Sequence, residues 1–301
     1  MGNDDSQDSR SPRAAETESI SQWIAMYRFF QRVIVEPMVQ VDADSRRYLA
    51  LPAARGVDWK TIGVLVTAAV SLTLQNYFGN ADGFARIAHG LAKIGFEDLS
   101  ASSLAWLRDQ DSGALNRLAC WALGSFITYT ALPLVVIRFG FRERIGDYGV
   151  KLHGAFTDGW IYGVMFAVMV PLILLVSQSQ SFQDTYPFYT PPRGEPLWPN
   201  FWRWELFYAV QFLGLEFFFR GFLLHGTKHR FGCYSIFVMM VPYCMIHFAK
   251  PLPETCGAIM AGIALGFMSL KTRSIWLGAA IHITVALSMD FASLWRQKFF
   301  E

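Results

Sequence analysis

Residues 204–224 read WELFYAVQFLGLEFFFRGFLL, and the fold class turns on that run. A helix of about 20 residues crosses the roughly 30 Å of hydrocarbon in a bilayer. The run has that length and is apolar except at a few positions, among them Glu205, Gln211, Glu216 and Arg220. Ionisable groups inside a span are costly, so each needs a partner or a task. Glu216 and Arg220 stand four residues apart, one helical turn, on one face, and an ion pair follows. Glu205 lies eleven residues upstream of Glu216, three turns to within about 20°, so both carboxylates point the same way. Gln211 is close to that stripe.

The rest of the chain repeats the pattern. Of its 301 residues 53% are hydrophobic and only 17% are Asp, Glu, Lys or Arg, against about 25% in ordinary soluble proteins. The charges crowd the first sixty residues and a few short connectors. Further apolar stretches run over Thr61 to Phe78, about Ala114 to Val136, Gly159 to Val176, Ser235 to Ala249, Thr255 to Leu270 and Ile275 to Leu294. The expected fold is an all-α, polytopic membrane helix bundle of about seven spans.

Residues 61–301 form the membrane domain in this reading, with the functional core at about 200–295. Residues 19–60, apolar but broken by Arg28, Arg32 and Pro37, suit an amphipathic segment at the interface. The first 18 residues, rich in Asp, Ser and Arg with no apolar core, read as a disordered tail and not as a signal peptide. Between Pro187 and Pro199 a Pro- and aromatic-rich loop has the composition of an interfacial segment. Basic residues at Arg46 to Lys60, Arg138 to Lys151, Lys228 with Arg230, and Lys271 with Arg273 alternate with poorer loops. They put the N-terminus in the cytoplasm of an inner or plasma membrane, although Arg296 and Lys298 do not fit the alternation.

The net charge of +2 and the lack of a basic stripe interleaved with aromatics exclude nucleic acid as a partner. Cys120, Cys233, Cys244 and Cys256 have neither disulfide nor zinc-knuckle spacing and read as packing residues. No inverted pair of broken helices points to a transporter.

Two more helices carry chemistry. Tyr243 and His247 are four apart, followed by Lys250 and Glu254, while His282, Ala286 and Asp290 step by four along the last helix. Glu, His and His presented inward from three helices can hold a water, deprotonate it and stabilise the oxyanion made when it attacks a peptide carbonyl. The plainer readings are an ion pair that locks two helices and histidines that serve as interhelical hydrogen-bond donors. For Glu205, beside Trp202 and Trp204, the plainer reading is a solvated helix start.

In order along the chain, Leu215-Glu216-x-x-x-Arg220, Tyr243-x-x-x-His247 and His282-x-x-x-Ala286 resemble the three motifs of the CAAX-processing and bacteriocin-processing (CPBP, or Abi) family of intramembrane proteases. Those motifs are Glu-Glu-x-x-x-Arg, Phe-x-x-x-His and His-x-x-x-Asn. The resemblance spans roughly Glu205 to Asp290. It implies an endopeptidase acting on a membrane-associated protein or peptide in the lipid bilayer. Glu216 or Glu205 with His247 would polarise water, His282 would stabilise the oxyanion, and Arg220 would hold Glu216 ionised and oriented. Family members are often labelled metalloproteases, and zinc on His247, His282 and a Glu is the alternative to this metal-free reading. No HExxH helix is present.

Two positions depart from the pattern. Leu215 stands where the family has its first Glu, and Ala286 where it has Asn. Either neighbouring groups take over, with Glu205, Glu216 or Glu254 as base and Asp290 or Gln211 as support, or the chain is an inactive relative that acts as a membrane scaffold or peptide-binding protein.

Overall fold

The computed structural model describes residues 12–152 and 154–299, all helix, turn and connector with no strand among them. The expected tail therefore lies outside the described residues for 1–11, and α1 (Pro12–Phe30) begins at Pro12. It continues through a π-helical turn at Gln31–Val35 into α2 (Glu36–Ala50). The remaining helices are α3 (Trp59–Phe78), α4 (Ala81–Lys93), α5 (Glu97–Leu107), α6 (Gly113–Val135), α7 (Gly159–Val176), the short α8 (Gln180–Gln183), α9 (Asn200–Glu216), α10 (Gly226–Phe231), α11 (Ser235–Met245), α12 (Leu252–Thr272) and α13 (Trp276–Arg296).

Six helical segments among the described residues are long and apolar enough to cross a membrane: 59–78, 113–140, 159–176, 200–245, 252–272 and 276–296. The fourth, at 46 residues, would be about 69 Å long if straight, more than twice the hydrocarbon thickness. It folds back at Gly232, whose φ of +55° favours glycine, so that α11 returns beside α12. Two legs from one segment bring the passes to the expected seven. The protein is an integral membrane protein.

Burial separates the centre of the bundle from its rim. In the 200–245 segment 72% of the most apolar window is buried, against 11% in α7, whose Val164, Val168, Leu172 and Leu175 face outward. Exposed apolar residues of this kind are what a lipid-facing surface requires. Exposed tryptophans mark both rims: Trp59 and Trp160 at one end, Trp198, Trp202 and Trp295 at the other.

The central leg is irregular. From Phe217 to His225 it runs in π register, and Phe218, Phe219, Phe222, Leu223 and Leu224 pack there against Tyr129, Tyr148, Met239 and Tyr243. A π segment in mid-helix frequently accompanies a functional site. At the basic end Lys60 pairs with Glu143 at 2.7 Å, His229 with Asp58 at 3.1 Å and Lys271 with Asp158 at 2.8 Å. The interfacial segment docks on this end, where Asp42 accepts from the Cys233 backbone N–H at 2.7 Å.

One helix is shorter than its apolar run. The stretch Ser235 to Ala249 is helical only to Met245, and residues 246–251 form a turn. The His247 carbonyl accepts from Thr255 Oγ1 at 2.7 Å and from the Lys250 N–H at 2.9 Å. Pro251, which disfavours helix in the residue before it, then opens α12.

Candidate active site

Glu216 is the last residue of α9, Arg220 sits in the π segment, Tyr243 lies near the end of α11, His247 in the turn beyond it, and His282 on α13. Glu216 and Arg220 have no exposed surface. Arg220 Nη1 lies 3.0 Å from Glu216 Oε1, an ion contact and not a directed hydrogen bond. The guanidinium also lies 4.0 Å from the centroid of the Tyr243 ring and donates from Nη2 to the Ala261 carbonyl at 3.5 Å. Arg220 therefore ties its own helix to α11 and α12 through a charge that a membrane interior tolerates only when paired.

His282 Nδ1 donates to the same Glu216 Oε1 at 2.9 Å, and its ring packs on Phe212 at 4.3 Å between centroids. Glu216 Oε2 has no hydrogen-bond partner and points at Gly278, where an added Cβ would stand 3.0 Å away. The small residue one turn before His282 is what lets the buried carboxylate approach α13.

His247 is built differently. Its Nδ1 faces the Tyr243 carbonyl at 2.8 Å, and a carbonyl only accepts, so Nδ1 carries the proton and Nε2 keeps its lone pair. Burial pulls its pKa down to about 4, against the hydrogen bond to Tyr243, which raises it. The imidazole is neutral at ordinary pH. Tyr243 joins the two histidines, its ring centroid 4.9 Å from that of His247 and 6.3 Å from that of His282.

Glu205 is not brought to this group. It does share a face with Glu216, but eleven residues put it about 16 Å away along the axis, beside Asp290. Glu254 is engaged elsewhere as well, accepting from Tyr186 Oη at 2.7 Å with Lys250 Nζ at 3.8 Å. Gln211 is buried with its amide oxygen unpartnered. At the two departures from the motifs, Leu215 is packed into the main apolar core and Ala286 into a second core with Trp204, Tyr208 and Phe212.

The donor set does not fit zinc. A catalytic zinc takes three protein ligands, whereas His247 and His282 offer two and Glu216 Oε1 is already shared by Arg220 and His282. Among the described residues no three His, Cys, Asp or Glu side chains are grouped to hold a metal ion.

Gly278 and Tyr186 were not singled out by the sequence. Gly278 had a signal, a small residue one turn from His282 on the same face. Tyr186, in a connector, had none.

Fold and site together define a polytopic helical membrane protein with a Glu, Arg and two His side chains gathered within its bundle. Residues 196–288 match the family model described as type II CAAX prenyl endopeptidase Rce1-like, consistent with the CPBP family. The matched segment holds Glu216, Arg220, Tyr243, His247 and His282 and ends before Asp290. No curated protein and no solved structure matches the chain.

Proposed function

We propose that the chain is an intramembrane endopeptidase of the CAAX-protease type, hydrolysing a peptide bond in a membrane-associated protein with His247 as general base. The observation that carries this reading is the asymmetry of the two imidazoles. His247 has no carboxylate against it and offers a free Nε2 lone pair. His282 has Glu216 behind it as counter-ion, so an imidazolium there is balanced and its Nε2–H can donate to an oxyanion. Two titratable groups in contrasting environments divide base from acid roles.

A water donating to His247 Nε2 attacks the carbonyl carbon, and its proton passes to Nε2 as the C–O bond forms. His282 stabilises the oxyanion. As the C–N bond breaks, His247 returns the proton to the leaving amine. Glu216 and Arg220 position His282 and do not touch the substrate. The basic end, with Lys60, Lys228, Lys271 and Arg273, lies in the cytoplasm in this reading, and α1 and α2 dock there.

The test is a comparison of membrane-protein termini in cells with and without the chain. Peptide ends that appear only with the wild-type chain, and that are lost in both His247→Ala and His282→Ala at unchanged membrane levels, support the assignment. Ends that persist in both variants overturn it. The burial of Leu215 and Ala286 in apolar cores favours a second reading, an inactive relative that binds a membrane peptide. In that case wild type yields no new ends, and crosslinking captures the same peptide on wild type and on His247→Ala.

A further inference from the structure

About three turns along α9 from Glu216, a second polar contact joins α9 to α13. Glu205 is 3% exposed and Asp290 is fully buried, and their carboxyl groups adjoin. Trp204 Nε1–H donates to Asp290 Oδ2 at 3.2 Å. No donor reaches Asp290 Oδ1 or either oxygen of Glu205.

The groups around the pair do not neutralise it. Tyr208 lies beside it on α9, Tyr186 comes from the connector before Pro187, Lys250 from the turn after α11, and Glu254 from α12. The lone cation, Lys250, is already committed: it donates to Tyr186 Oη at 2.9 Å, lies 3.8 Å from Glu254 and sits 3.9 Å from the centre of the Phe188 ring. Three acids thus face one base. A metal ion is not the remedy, because no suitable group of three ligands exists among the described residues.

Two adjoining carboxylates in an apolar interior cannot both be ionised, and buried oxygens without donors are rare in folded proteins. One proton answers both problems. We infer that Glu205 and Asp290 bind a single proton between them, and that this proton fastens α9 to α13. The Trp204 donor makes Asp290 the accepting member, so the acid hydrogen resides on Glu205 and is donated to Asp290 Oδ1. The same two helices carry Glu216 and His282, so the pair holds the scaffold of the active site as well as its own end of the bundle. This inference does not depend on peptide hydrolysis.

A folded state that carries a proton which the unfolded chain has released loses stability as pH rises. Each pH unit makes unfolding up to about tenfold more favourable while the proton is retained. Glu205→Gln supplies an amide N–H in place of the acid O–H and abolishes the titration. The full-length chain in lipid nanodiscs is examined by infrared spectroscopy and by thermal unfolding from about pH 5 to about pH 8. Wild type shows the carbonyl stretch of a protonated, buried carboxyl group and an unfolding midpoint that falls with pH. Glu205→Gln accumulates normally, lacks the band and has a flatter midpoint. The same band in Glu205→Gln as in wild type, or a wild-type midpoint no more pH-dependent than that of Glu205→Gln, overturns the inference. Should Asp290→Asn fail to accumulate for want of the Trp204 acceptor, Glu205→Gln alone decides.

Discussion

Replacing Gly278 by Ala tests whether Glu216 is locked against α13. The new Cβ would lie 3.0 Å from Glu216 Oε2 and 3.8 Å from its Cδ, where an unstrained contact wants about 3.5 Å. The carboxylate must retreat by about half an ångström. Its other oxygen is held at 3.0 Å by Arg220 and at 2.9 Å by His282, so the retreat stretches at least one of those contacts. Overpacking of this kind costs about 1–3 kcal/mol, while Ala in a helix interior recovers about 1 kcal/mol over Gly. The expected net is a loss of about 0–2 kcal/mol, read as a lower thermal unfolding midpoint in detergent. Cleavage should fall further, because displacement of Glu216 moves His282.

Gly163→Ala is the control. It lies on lipid-facing α7 with nothing within 4 Å of its added Cβ, so only the helix-propensity gain remains and its midpoint should hold or rise. If Gly278→Ala rises in step with Gly163→Ala, Glu216 has room to spare and the described lock does not exist.

The ion pair makes a second prediction. Glu216→Gln strands the buried Arg220 and Arg220→Met strands the buried Glu216, each at about 3–5 kcal/mol, whereas the double variant recovers most of that loss; strictly additive losses in unfolding experiments would contradict the pairing. A third concerns pH. With His247 pulled down to about 4 mainly by burial, the neutral base is present above that value and is lost by protonation below it. The cleavage rate should stay level through neutral pH and fall only as pH drops through about 4; an acid limb near the ordinary imidazole value of about 6.5 would contradict His247 as the base.

The spans were legible in the sequence because a bilayer demands one thing of every segment within it, apolar length, and hydropathy measures that directly. The end of α11 was not. Ile246, Phe248 and Ala249 are as apolar as the helix before them, and composition cannot distinguish a buried turn whose carbonyl is bonded by a threonine from another turn of helix. Around the site, angular phase was legible and axial distance was not put to use. Glu205 and Glu216 do share a face, and both meet α13, but at Asp290 and His282 respectively. The meeting of Glu216, Arg220 and His282 could be anticipated from spacing within each helix, while the role of Tyr243 as the ring that touches Arg220, His247 and His282 depends on packing between helices.

The nine π-helical residues between Glu216 and Gly226 amount to an extra residue hidden inside a helix. Deleting one of them would let the segment tighten to ordinary pitch with Glu216 still anchored, while everything downstream swings by about 100°. The corner at Gly232 would then aim elsewhere, and the leg that hangs from it would carry His247 away from His282. Catalytic register in this chain is thus set partly by arithmetic, the number of residues across a phenylalanine-rich stretch, and not by the identity of side chains alone.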